Sequence, residues 1–378
     1  MFIQYFKLEF NLQYDISGVK LPANDINFMK FPSIGPAFLV TAAFIGPGTV
    51  ITASLAGANF GYSLLWALLF SMFATLILQE MAARLGVITQ QGLGENIRQT
   101  FNKGISRWIA IGLVVSAIVI GNGAYESGNI SGASIGLVAL FDGNFPASFF
   151  GINIWPFFIG LMAFMVLWRG NYFIVEKVLI FLVAVMSLAF MLTFFMTQPD
   201  LTALLSGLLI PQFPTDSTLT VIALIGTTVV PYNLFLHSAS ASRKWKQPSH
   251  LSEARKDLLI SIPLGGLISI AIVSTAATAF FGKAVSLQSV ADLAPALEPV
   301  FGDSARLLMA IGLFSAGVSS AVTAPLAAAF ALSGVLNWNS DLRSGSFKSI
   351  WLAILIIGVV ISSSDYKAVS VIWFAQVA

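Results

Sequence analysis

Apolar residues in this chain gather into long runs separated by short polar stretches. The runs fall near 35–60, 62–83, 107–128, 154–168, 173–196, 218–240, 257–281, 307–336 and 350–364, and a tenth begins at Ala368. A helix needs about 20 mainly apolar residues to cross the hydrocarbon core of a bilayer. The pattern therefore predicts an all-α polytopic membrane protein with nine such segments and the start of a tenth.

Two of these segments interrupt themselves. Residues 44–52 read FIGPGTVIT, with Gly46, Pro47 and Gly48 in succession, and residues 226–238 read GTTVVPYNLFLHS around Pro231. Proline inside a helix costs about 3 kcal/mol and glycine about 1 kcal/mol relative to alanine. Helix breaks are expected near Gly46–Thr49 and Val229–Tyr232. Pro231 follows Pro47 by 184 residues, and five segments start with each break. Because five is odd, the second set must cross the membrane in the opposite sense, as inverted repeats do. Paired Gly/Pro-interrupted segments at corresponding positions point to a transporter's binding site. Two unrelated proline kinks are the plainer alternative, since membrane helices tolerate them.

Composition agrees with lipid as the solvent. Of 378 residues, 57% are hydrophobic and 10% charged, against about 25% charged in an ordinary soluble chain. With a cytoplasmic N-terminus and alternating segments, all but Lys283, Arg306 and Lys367 of the 19 Lys and Arg fall inside. That obeys the positive-inside rule, and one segment missed or invented would scramble it. The net charge of +2 reflects these loops and calls for no nucleic-acid partner. The expected location is a bacterial inner membrane.

The domain reading is a cytoplasmic tail over 1–32, a first five-helix repeat over 33–197, an external connection over 198–216 and a second repeat over 217–378. Charges at Lys7, Glu9, Asp15, Lys20, Asp25 and Lys30 leave the tail no signal-peptide core. Zero cysteines exclude disulfides and thiolate metal sites. The tenth segment has only the residues from Ala368 to Ala378, too few to span. A fragment or a lost C-terminal part is the expectation.

The stretch GPAFLVTAAFIGPGTVITASLAGANFGYSLLWALL at 35–69, followed by ARLGVITQQGLGENIR, resembles the opening of the Nramp family. GTTVVPYNLFLHSA at 226–239 is similar to that family's sixth segment. The resemblance implies a LeuT-type fold with two inverted five-helix repeats, broken first and sixth helices, and proton-coupled uptake of divalent metals such as manganese and iron. It also implies where this chain departs. The family's first break reads DPGN, with aspartate and asparagine as ligands; here Gly46 and Thr49 stand there, around Pro47 and Gly48. Its sixth-segment MPH carries a thioether ligand; here Val230 and Tyr232 flank Pro231. A backbone carbonyl ligand of the family matches Thr227, and a glutamine facing the substrate matches Gln376.

Those departures have a chemical consequence. Transition metals want N, S or carboxylate donors, and magnesium wants near-octahedral oxygen, usually with carboxylates. Gly46 and Val230 have no donor side chain, while Thr49 and Tyr232 offer neutral hydroxyls. No metal ligand set is expected. A half-helix starting near Thr49, with Thr49 as its N-cap, instead turns unpaired N–H groups toward the gap. Carbonyls freed before Pro47 and Pro231 form the opposite pole. Such a gap suits a neutral, zwitterionic or anionic solute.

Ionisable groups inside the segments complete the candidates. Glu126, in GNGAYESGNISG, aligns with the first of two acids that the family links to proton movement, and Asn129 with the second. Intramembrane acids are functional hypotheses by default, although a single glutamate can also cap a structural network. His237 matches a histidine of the family's inner path and can carry a proton or bridge packed helices. Glu80 is placed to pair with Arg84 at i+4, and the small residues over 315–334 read as close helix packing. No enzyme motif is present and no cofactor is expected. The open readings are a secondary transporter, with protons as coupling ion and a solute or a metal as cargo, and a transport-dead receptor or scaffold.

Overall fold

The computed structural model describes residues 35–37, 41, 45–141, 148–149, 152–169, 173–283, 287–364 and 366–377. The expected N-terminal tail lies outside the described residues. The principal helices are α1 (Pro47–Phe60), α2 (Leu65–Thr89), α3 (Gly104–Leu140), α4 (Trp155–Arg169), α5 (Phe173–Met196) and α6 (Thr218–Gly226). They continue with α7 (Pro231–Lys244), α8 (Leu251–Phe280), α9 (Ser304–Leu336), α10 (Gly345–Ser362) and α11 (Ala368–Val377). Among the described residues, seven helical spans are long and apolar enough to cross a membrane, the longest being Gly104–Leu140. The broken pair α6–α7 counts as one of them, Thr218–Lys244. This is an integral membrane protein; seven of the nine expected segments reach spanning length, while the runs near 35–60 and 154–168 hold shorter described helices, Pro47–Phe60 and Trp155–Arg169.

Two features depart from the expected layout. The otherwise helical chain forms a short antiparallel strand pair, β1 (Ser148–Phe149) and β2 (Ile152–Asn153), between α3 and α4. The connection over 198–216 holds a helix, Leu201–Leu209. Asp200 starts it by accepting from the backbone N–H groups of Thr202 and Ala203 at 2.8 and 3.1 Å, a normal N-cap.

Polarity is distributed inside out. On α2 the exposed positions Phe70, Phe73, Ile77 and Met81 recur every three or four residues. Ser71, Thr75 and Gln79, spaced by four, are fully buried on the opposite face. In water that arrangement would expose a large apolar stripe; in lipid the stripe is solvated, and inside the bundle Ser71 donates to the Leu68 carbonyl and Gln79 meets His237.

Close helix contact depends on small residues. Any side chain at Gly317 of α9 would press on α3, within 2.6 Å of the Asn129 carbonyl oxygen. Gly136 of α3 is held equally close to Ala310 and Phe314 of α9. The run over 315–334 thus packs α9 along α3 at backbone distance, as expected for small residues in a membrane bundle. At the basic end, Glu80 pairs with Arg84 at 3.0 Å, as anticipated, and also with Arg255 of α8 at 2.8 Å.

Candidate functional site

Both breaks are present, and both prolines occupy the same position. Pro47 is the first residue of α1, with Gly46 extended before it at φ −100°, ψ −175°. Pro231 is the first residue of α7, with Val230 extended before it at φ −101°, ψ 121°. Proline favours this position because its missing N–H would be unpaired there anyway and its φ is already helical. The expected unwound stretches therefore shift. Thr49 and Tyr232 lie inside the first helical turns, so Thr49 is not the N-cap; that place belongs to Gly46. The second gap runs over Thr227–Val230, between the end of α6 at Gly226 and the start of α7.

The two gaps meet at one small cavity. Its lining is Gly46, Gly48, Thr49, Tyr125, Asn129, Thr227, Val230, Tyr232 and Gln376. Its volume is ≈ 20 Å³, room for about one water molecule. Of the nine substrate-binding candidates, seven line it directly. Pro47 and Pro231 set the helix starts instead, and Pro47 backs onto α3, where a side chain at Gly132 would overlap its ring. Gly48 has no space for a side chain because Gln376 fills it, and Gly226 is closed in the same way by the Gln376 carbonyl. Thus α1, α6 and α11 touch through glycines at the cavity.

Tyr125 is the wall residue that sequence reasoning missed. Its hydroxyl donates to the carbonyl oxygen of Gly226, the last residue of α6, at 2.6 Å. Its ring meets that of Tyr232 edge-on, with centroids 5.9 Å apart. Helix periodicity held the clue: Tyr125 and Asn129 are four apart on α3 and share a face. Glu126 lies about 100° round the helix from Tyr125.

Glu126 accordingly sits behind the cavity wall. It is fully buried and packs on Gly358 of α10. Its Oε2 accepts from Asn129 Nδ2 at 3.5 Å, and its Oε1 has no hydrogen-bond partner among the described residues. His237 is five residues beyond Tyr232, hence on another face of α7. Its Nδ1 lies 2.7 Å from Gln79 Oε1 of α2, and its Nε2 has no hydrogen-bond partner among the described residues. Asn129 lines the cavity; Glu126 and His237 do not.

Three larger cavities share no lining residue with the central one; one, of ≈ 380 Å³, lies beside Gly61, Tyr62 and Gly207, and the other two extend along α7 and α3. One, of ≈ 250 Å³, lies at the basic end and includes Gln90, Glu95, Phe235, Ser242, Arg243 and Lys246. The other, of ≈ 460 Å³, includes Ser131, Ser134, Arg306, Ser362, Tyr366 and Ala368. Along α7 the order is Tyr232, then Phe235, then Arg243; along α3 it is Asn129, then Ser131, then Ser134. The central cavity lies between the two. Among the described residues no three His, Cys, Asp or Glu side chains gather as a metal site would require.

Comparison with known proteins adds the following. Residues 37–378 match the family described as natural resistance-associated macrophage protein-like, Nramp. The divalent metal cation transporter MntH of Bacillus subtilis (strain 168) is 31% identical over 337 residues, covering 86% of this chain and 76% of that protein. The MntH of Erwinia tasmaniensis is 28% identical over 331 residues, covering 83% and 75%. Among solved structures, a mutant of the Eremococcus coleocola manganese transporter superposes with a TM-score of 0.68 at 22% identity, covering 91% of this chain and 72% of that one. A nucleobase-cation-symport-1 family transporter, closed around bromovinylhydantoin, gives 0.59 at 16% identity, covering 90% and 74%. At these identities the structural likeness speaks for the fold.

Proposed function

The chain belongs to the Nramp family, and we propose on that premise that it is a secondary-active transporter whose cargo is a small neutral, zwitterionic or anionic solute. Membrane transport and the LeuT-type inverted-repeat fold come with the family and its structural neighbours. The altered cargo is our reading. One observation carries it: the cavity where the two breaks meet is lined by uncharged groups, with Gly46, Thr49, Val230 and Tyr232 at the positions that matter. A dication brought there would exchange its hydration shell for neutral hydroxyls, amides and carbonyls, without the carboxylate, imidazole or thioether donors that hold such ions. The first turns of α1 and α7 supply N–H groups and a partial positive charge instead, which favours an anionic or dipolar end of the cargo.

The remaining assignments belong to the same proposal. The repeats run over 33–197 and 217–378, joined by 198–216. The N-terminus faces the cytoplasm of a bacterium, because the Lys- and Arg-rich loops then lie inside. Glu126 is the proton-coupling acid, His237 a relay on the inner side, and Asn129 the neutral partner. The cavities of ≈ 250 and ≈ 460 Å³ are the inner and outer vestibules.

A second reading is favoured by the relatives, which are named divalent metal cation transporters. Under it, Glu126 or another acid replaces the lost aspartate and the cargo stays a metal. Uptake by the full chain in liposomes, over a panel of amino acids, organic acids, sugars, Mn2+, Fe2+ and Mg2+, separates the two. We expect accumulation of a non-metal solute. Accumulation of a divalent metal alone would establish the second reading, and no accumulation of any kind would point to a receptor or scaffold.

A further inference from the structure

Two hydroxyls on the cavity wall have committed their protons elsewhere. A hydroxyl carries one proton. Tyr125 donates its own to Gly226 O at 2.6 Å, and Thr227 donates its own to Leu224 O at 2.7 Å. Toward the cavity both therefore present oxygen lone pairs only. The two amides lean the same way: Gln376 Nε2 donates to Ile372 O at 3.4 Å, and Asn129 Nδ2 to Glu126 Oε2 at 3.5 Å. Each amide keeps a carbonyl oxygen as acceptor and one further N–H as donor. Tyr125 and Thr227 thus bring two neutral hydroxyl acceptors to a cavity that two tyrosine rings also line.

From this arrangement we propose, resting on the transporter reading above, that the cargo carries a primary ammonium group, and that Tyr125 and Thr227 are the residues that select it. An ammonium has three N–H donors and no acceptor. The hydroxyl oxygens of Tyr125 and Thr227 and an amide oxygen of Asn129 or Gln376 match those donors one for one. The rings of Tyr125 and Tyr232 stabilise a single positive charge further through their π faces. A metal dication gains little there, since its larger charge meets no compensating anion. The negative end of a zwitterion then falls toward the first turns of α1 and α7. With room for about one water molecule, the cavity must widen to admit even glycine or alanine, the shortest amino acids and so the cargo that asks least of it. The two α6 hydrogen bonds are the specificity device: they turn potential donors into acceptors.

Calorimetry on the purified full chain tests this, with glycine, L-alanine, acetate, NaCl and MnCl2 as the titrants. Saturable binding of glycine or L-alanine is expected, with acetate at least tenfold weaker. Tyr125→Phe and Thr227→Val keep size and ring packing but remove one acceptor each. Each should weaken the amino acid about tenfold or more, as loss of one charge-assisted hydrogen bond does, while circular dichroism and the unfolding temperature stay near wild type. Failure of both amino acids to bind would overturn the inference. So would acetate as tight as glycine, equal competition by Na+, or wild-type affinity in both variants. Those results leave a non-metal transporter standing. Saturable binding of Mn2+ at micromolar concentration would instead overturn the non-metal cargo reading beneath it.

Discussion

His237 and Gln79 hold one another across the interface of α7 and α2, with Nδ1 and Oε1 2.7 Å apart and both side chains buried. The carbonyl oxygen of Gln79 accepts, so the His237 proton in this contact sits on Nδ1. Gln79→Leu removes that acceptor and leaves a buried imidazole unpaired. The expected loss is about 1–3 kcal/mol of stability, read as a lower thermal midpoint in detergent. An unchanged midpoint would mean the contact contributes nothing.

Glu126 presents a different test, because it is buried outside the cavity rather than in its wall. Glu126→Gln keeps size and can still face Asn129, but it cannot bind or release a proton. Cargo binding should survive while pH-driven accumulation in liposomes is lost. Normal transport with an unchanged pH profile would make Glu126 structural and assign coupling to another ion.

The contact between Gly132 and Pro47 sets where α1 begins. Gly132→Ala drives a methyl group into the proline ring, and overpacking of this kind costs about 1–3 kcal/mol. Uptake should fall sharply. Gly112 is the control, since a methyl there meets nothing within 4 Å. Gly112→Ala should leave uptake intact and hold or slightly raise stability, as alanine does in a helix. Equal behaviour of the two variants would remove the argument from close packing.

Much of this was legible in the chain because lipid imposes simple length and polarity rules. The apolar runs located the membrane helices, and the proline pair located both breaks. Exact helix starts were less legible, since Pro47 and Pro231 read as the middle of each gap, whereas the preference of proline for the first helical residue puts them after it. The helix Leu201–Leu209 is too short for the spanning rule, and only Asp200 marks its start. At the site, Gly46, Gly48, Thr49, Thr227, Val230, Tyr232 and Gln376 were found through the breaks and the family resemblance. Tyr125 was passed over because the acid beside it drew attention, although its i, i+4 relation to Asn129 places it on the cavity face.

Under the proposed function a dication finds no adequate ligands between the two breaks. Calorimetric titration of the purified, unmodified protein with MnCl2 tests it most directly. The companion is the variant carrying Gly46→Asp, Thr49→Asn, Val230→Met and Tyr232→His together, titrated under the same conditions. The expected result is no saturable binding to the unmodified protein at micromolar metal and the appearance of binding in the variant. Saturable micromolar binding of manganese by the unmodified protein would contradict it.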